Sequence, residues 1–128
     1  MKKINIAVLL LIVFVSVVSI NSQANNKRIK FKKGESSATI EGAVIRGEND
    51  TYLVGADKNQ YTVISIMSIE NNAVFQVIDR NTGYYLDGAG ELDDAMRWEG
   101  RLPSSGDYQI IVGGTRGNAE YTLKVFIE

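Results

Sequence analysis

The C-terminal third of the chain alternates apolar and polar residues with a period of two. Tyr108, Ile110 and Val112 fall on one face, with Asp107 and Gln109 on the other. Tyr121, Leu123, Val125 and Ile127 then alternate with Thr122, Lys124 and Glu128. Successive side chains of a strand point to opposite faces, so each run reads as a half-buried strand. Between them lies Gly113-Gly114-Thr115-Arg116-Gly117-Asn118-Ala119. Its glycines and asparagine permit positive φ and a tight, irregular path. Pro103 and Ser104-Ser105-Gly106 break the chain just before the first of the two strands. The stretch is therefore a hairpin that presents one long, planar cation, Arg116, on its loop.

The same period runs back through the chain. Ile29 and Phe31 alternate with Arg28, Lys30 and Lys32; Ile40, Gly42 and Val44 with Thr39 and Glu41; Tyr52, Val54 and Ala56 with Thr51 and Leu53. The run 60–69 carries Val63, Ile64, Ile66, Met67 and Ile69, apolar on both faces, and its β-branched content predicts a central strand. A strand over 73–78, a short one at Tyr84-Tyr85-Leu86, and one in which Met96, Trp98 and Leu102 point inward complete the set. Polar turns such as Lys33-Gly34-Glu35 and Arg46-Gly47-Glu48-Asn49-Asp50 separate them. No segment shows a helical period. Eight or nine short strands at intervals of about 8–12 residues predict an all-β fold, an antiparallel β-sandwich or jelly roll.

The N-terminus has another pattern. Met1-Lys2-Lys3 precedes an apolar run over 4–20, and Ser22-Gln23-Ala24 follows with small residues at its first and third positions. This describes a secretory signal peptide over 1–24; the rival reading is an uncleaved anchor. Cleavage leaves residues 25–128, a single β-sandwich domain of 104 residues. Without Lys2 and Lys3 there are 12 basic groups against 15 acidic ones, a net charge of −3. Such a balance disfavours nucleic acid, which needs a basic excess, and suits a cationic protein partner. Once the leader is removed, no membrane contact is expected.

There is no cysteine and no histidine. The domain must be held by packing, and it lacks thiol nucleophiles, thiolate ligands and the commonest general base. No metal or other cofactor is expected. Asp87, Glu91, Asp93 and Asp94 make an acidic loop with Gly88 and Gly90, either a solvated turn or a Ca²⁺ loop, although the spacing fits no EF-hand. Asp93 and Asp94 are adjacent and would face opposite ways on an extended strand, which argues against a glycosidase pair.

Phe31-Lys32-Lys33-Gly34-Glu35-Ser36-Ser37-Ala38, then Gly47, Asp50-Thr51-Tyr52 and Ala56, then Leu102-Pro103-Ser104-Ser105-Gly106-Asp107-Tyr108 resemble the periplasmic inhibitors of g-type lysozyme of Gram-negative bacteria. The wider pattern is similar to bacterial pre-peptidase C-terminal domains. The resemblance implies a small exported β-sandwich that plugs a lysozyme cleft with loops, in the periplasm and without enzymatic activity. Related lysozyme inhibitors use a Ser-Gly-x-x-Tyr motif; this chain has Ser105-Gly106-Asp107-Tyr108, one residue shorter. After Gly47, where the family carries aromatic residues, this chain has Glu48 and Asn49.

The candidate lysozyme-binding residues are then Arg116 with Gly114, Thr115 and Gly117 in the hairpin loop, Ser105, Gly106 and Tyr108 before it, and Glu48 and Asn49. A guanidinium is planar and always charged, and suits the carboxylate in a lysozyme cleft. The bland alternative is a loop arginine that is solvated or pairs with Asp50 or Glu120. Tyr108 shares a face with Ile110 and Val112 and fits the core as well as an interface. Ser105 could simply satisfy the turn, and Trp98 could be core or stack on sugar. An accessory module that binds glycan or a secreted partner is the competing functional class.

Overall fold

The structure, a computed structural model, describes residues 26–128. The expected leader, 1–24, lies outside the described residues. Eight strands form: β1 (Asn26–Arg28), β2 (Ser37–Val44), β3 (Asn49–Ala56), β4 (Tyr61–Met67), β5 (Ala73–Asp79), β6 (Arg97–Arg101), β7 (Gly106–Gly114) and β8 (Ala119–Ile127). They make two four-stranded sheets, ordered β1-β3-β7-β5 and β2-β8-β4-β6. All pairings are antiparallel except that of β1 with β3. The fold is an all-β sandwich, as the alternation predicts.

The inward positions of both sheets fill the space between them. Phe75, Val77, Ile110, Val112, Leu123 and Val125 are fully buried. Each such side chain contributes about 1.5–3 kcal/mol, which is how a domain without disulfides holds together. Gly42 sits where a Cβ would come within 2.5 Å of the Tyr121 hydroxyl, so its missing side chain is what lets Tyr121 reach across the sandwich. That hydroxyl donates to Asp50 Oδ2 at 2.5 Å and lies 2.5 Å from the Tyr52 hydroxyl. Burial and then the bond to Asp50 push the Tyr121 phenol far above its usual range.

Five local expectations need correction. The C-terminal stretch is not a hairpin: β7 pairs with β3 and β5 in one sheet and β8 with β2 and β4 in the other, so the loop between them crosses the sandwich because each strand finds its partners in a different layer. The alternation of Ile29 and Phe31 does not build the first strand; β1 ends at Arg28, and Ile29 adds one hydrogen bond to Leu53 beyond it. Tyr84-Tyr85-Leu86 makes only an isolated bridge between Tyr85 and Ile78, because the segment caps the open edge of β5 through single backbone bonds. β4 is central, between β8 and β6, but it is not buried on both faces. Thr62, Ile64 and Ile66 point inward, Val63 is half-covered, and Met67 and Ile69 are exposed. Among the described residues nothing packs on the outer face of this sheet, so its apolar residues there stay open. Trp98 is half-buried rather than core. It stands opposite inward-facing Ile64, but β6 is an edge strand, so the indole closes the side of the sandwich and donates to the Asp87 carbonyl at 2.9 Å.

Candidate functional site

Three connections cross between the sheets at one end of the sandwich: 45–48, 115–118 and 68–72. The strand orders place them side by side, with the β7–β8 crossing loop in the middle. Asn49 pairs with Gly113 and Val44 with Ala119, so the β2–β3 turn lies beside that loop. Ala73 pairs with Gly114, which sets the β4–β5 connection on its other side. The end so formed is here called the tip.

Hydrogen bonds tie the tip together. Asn72 is 2% exposed; its Nδ2 donates to the carbonyls of Arg116 (3.2 Å) and Asn118 (2.9 Å), and its own carbonyl accepts the Thr115 N–H at 2.9 Å. Asn118 Oδ1 accepts the Arg46 N–H at 2.8 Å, joining the neighbouring turn. Arg116 itself is exposed, and its Nη2 donates to the Glu70 carbonyl at 2.6 Å. It therefore leans on backbone, not on the carboxylates of Asp50 or Glu120. A guanidinium has five donors, so this bond fixes its direction and leaves donors for a second partner.

Glycine is required at two points around the central loop. A Cβ on Gly114 would come within 2.7 Å of the Gly117 carbonyl, so the crossing loop could not fold back this tightly. Gly117 itself has φ +65°, in the left-handed region. Glu48 closes the adjacent turn through its N–H to Ile45 at 2.9 Å and is exposed, as is Asn49. The structure thus brings Glu48, Asn49, Gly114, Thr115, Arg116 and Gly117 to one surface.

Ser105, Gly106 and Tyr108 are elsewhere. Ser105 precedes β7 and Gly106 and Tyr108 begin it, at the opposite end, about 20–30 Å from Gly114 at roughly 3.3 Å per residue. Tyr108 is 1% exposed, and its hydroxyl donates to the Ser104 carbonyl at 2.7 Å and accepts the Ser104 N–H at 3.1 Å. A tyrosine that returns its hydroxyl to backbone a few residues upstream is a tyrosine corner, which pins a crossing between sheets. Of the two readings open for Tyr108, the structure takes the core. Ser105 Oγ accepts the Lys58 N–H at 2.8 Å, and Gly106, at φ +137°, packs against Asn81. Ser104 Oγ donates to buried Asp79 at 2.6 Å. Arg28 clamps Asp107 with two bonds of 3.0 and 2.9 Å, and these hold the Asp107 carboxyl below its usual range. This end is built as scaffold.

The acidic loop does not converge either. Glu91 accepts from the Tyr85 hydroxyl at 2.9 Å, while Asp93 turns back to the Gly90 N–H at 2.7 Å. No group of three or more metal-ligating side chains forms among the described residues. Sequence reasoning missed Asn72 and Glu70, since Glu70-Asn71-Asn72 carries only a turn signal. Which of two asparagines is buried depends on which loop lies above it.

No protein-family model matches the chain. A curated relative from Escherichia coli strain K12, an inhibitor of g-type lysozyme, is 31% identical over 127 residues, covering 97% of this chain and 81% of the relative. Among solved structures, PliG of Aeromonas hydrophila, a periplasmic inhibitor of g-type lysozyme, matches with TM-score 0.68 and 25% identity, covering 80% of this chain and 96% of that one. PliG of Salmonella Typhimurium matches with TM-score 0.65 and 26% identity, covering 83% and 100%. The pre-peptidase C-terminal domain of a Bacillus anthracis collagenase shares the fold at TM-score 0.61 and 20% identity, covering 83% and 99%. Identity of this extent over nearly the whole chain, on a matching sandwich, is decisive: the chain belongs to the family of inhibitors of g-type lysozyme.

Proposed function

We propose that this protein inhibits g-type lysozyme by occlusion, with the 115–118 loop entering the enzyme's cleft and Arg116 meeting a carboxylate there. The protein is periplasmic and belongs to a family of inhibitors, not of enzymes. The supporting observation is Arg116 itself. It is the exposed cation on the middle one of three adjacent loops, and the Glu70 carbonyl fixes its direction at 2.6 Å. Preorganisation of this kind lowers the entropy lost when a side chain is ordered on binding. Glu48 and Asn49 would flank the contact from the next turn. The net charge of −3 without the leader supports attraction of a cationic enzyme, with association that slows as salt rises.

The test is an inhibition assay of the purified protein, residues 25–128, against g-, c- and i-type lysozymes. Inhibition confined to or strongest for the g-type enzyme is expected. A protein that binds and inhibits no g-type lysozyme would end this reading.

A further inference from the structure

The tip carries an apolar groove that the Arg116 loop does not use. It lies on the outer face of the second sheet, just below the loops, with a volume of about 510 Å³. Met67 and Ile69 supply its apolar wall; Glu41, Ala43, Glu120 and Thr122 line it from β2 and β8. The register places Glu41, Thr122 and Met67 in one row across three strands, and Ala43 beside Glu120 in the next. Met67 is 62% exposed and Ile69 94%. Two large apolar residues left this open, side by side at a loop tip, mark a contact surface more often than a folding requirement.

The charged side chains that line the groove are of one sign. Glu41 and Glu120 both stand on its face, and no basic side chain among the described residues lines it. The nearest outward cation on β8 is Lys124, one outward position further down, in register with Thr39 and Ser65. Glu70 follows Ile69 directly, and its carbonyl is the one that holds Arg116. Groove and loop are therefore one continuous surface. A second copy of the chain fits poorly, because a two-fold contact would set Glu41 and Glu120 against their own mates.

We infer that this groove is a second contact with lysozyme, receiving a strip of the enzyme's surface beside the cleft that combines an apolar side chain with lysine or arginine. The inference rests on the proposed inhibition of g-type lysozyme. The apolar part covers Met67, whose flexible thioether adapts to an irregular partner, and Ile69. The basic part neutralises Glu41 and Glu120. The acidic rim then contributes mainly to association rate and the apolar wall to residence time.

The experiment measures association and dissociation rates on immobilised g-type lysozyme at several salt concentrations. The variants are a Met67→Ser/Ile69→Ser double, a Glu41→Lys/Glu120→Lys double, Arg116→Ala, and Leu92→Ser as a matched loss of an exposed apolar side chain. All substituted residues except Arg116 lie away from the tip's hydrogen bonds, and unchanged thermal midpoints verify folding. The serine double should weaken binding on the order of tenfold, mostly through faster dissociation, with Leu92→Ser unchanged. The lysine double should slow association at low salt and flatten its salt dependence. Groove variants that bind like wild type, while Arg116→Ala binds worse, overturn the groove and leave the inhibitor reading standing. A wild type that binds no lysozyme overturns both. Groove variants that instead shift a monomer–dimer equilibrium make a second copy the occupant, and that also overturns the inference.

Discussion

Asn72 Nδ2 lies 2.9 Å from the carbonyl oxygen of Asn118, and Asn118 Oδ1 lies 2.8 Å from the backbone nitrogen of Arg46. Two asparagines thus link all three connections at the tip. The buried one holds the loop that carries Arg116; the exposed one passes that restraint to the neighbouring turn. An asparagine amide has two N–H donors, and Asn72 places them on the carbonyls of Arg116 and Asn118. A buried carbonyl that loses its donor keeps its desolvation cost.

Asn72→Ala should therefore destabilise the domain by about 1–3 kcal/mol. It should also weaken inhibition, because the loop loses its anchor. Denaturant unfolding gives the first quantity and an inhibition constant the second, while amide exchange at Thr115 reports whether the loop has loosened. A variant with an unchanged unfolding midpoint and unchanged exchange would show that the tip is held by other means.

Tyr121 predicts an alkaline limit to stability. Its phenol is raised from an ordinary value of 10.0 by burial and then by its bond to Asp50. A group whose pKa is raised on folding contributes stability that is complete below the unfolded value and lost as pH rises above it. Unfolding free energy should stay level from neutral pH to about pH 10 and fall beyond. Tyr61 and Tyr85 are also raised, by bonds to Glu99 and Glu91, but both are solvent-accessible, so comparison with Tyr121→Phe isolates the buried phenol. That variant should lose about 1–3 kcal/mol at neutral pH and show a shallower alkaline fall. An identical alkaline profile in the two proteins would rule the assignment out.

The alternation of Tyr108, Ile110 and Val112, and of Tyr121, Leu123 and Val125, was legible because a one-residue slip would expose every one of them. Both runs appear in the structure as central strands with those residues inside. Legibility failed where a neighbour decides the outcome. Met67 and Ile69 look like core by composition, yet among the described residues nothing covers that face of the sheet. Trp98 has the right phase, yet β6 has no strand beyond it. The candidate site divides in the same way. Arg116 and its glycines could be read as a projecting loop because glycine placement is local chemistry. Ser104-Ser105-Gly106-Asp107-Tyr108 carries the same kind of local signal, but its partners, Asp79, Asn81 and Lys58, come from distant segments, and they make it a corner. Asn72 gave no signal at all, since its role exists only once the 115–118 loop is above it.

The leader should be removed after Ala24. The basis is Lys2-Lys3, the apolar run over 4–20 and Ser22-Gln23-Ala24. Intact-mass measurement on the periplasmic fraction should find a chain that begins at Asn25. A full-length chain retained in the membrane fraction would favour the anchor.

Arg116 should carry the largest single share of inhibition. A guanidinium held by the Glu70 carbonyl points a charge outward without needing a partner inside the protein. If it meets a carboxylate in a closed cleft, truncation leaves that carboxylate buried and unpaired, at about 2–5 kcal/mol. At roughly 1.4 kcal/mol per factor of ten, Arg116→Ala should raise the inhibition constant by about 30- to several-thousand-fold. Arg116→Lys keeps the charge but loses the planar fork, and should recover only part of that loss. Arg80 is the control. It is exposed at the opposite end of the sandwich, where its backbone N–H meets the Asp107 carbonyl, so Arg80→Ala removes the same charge without touching the tip. Long-range attraction weakens by the same one charge in both variants, and salt screens that part. The difference between them is therefore the contact itself. Equal inhibition by Arg116→Ala and Arg80→Ala would mean that the 115–118 loop stays outside the cleft.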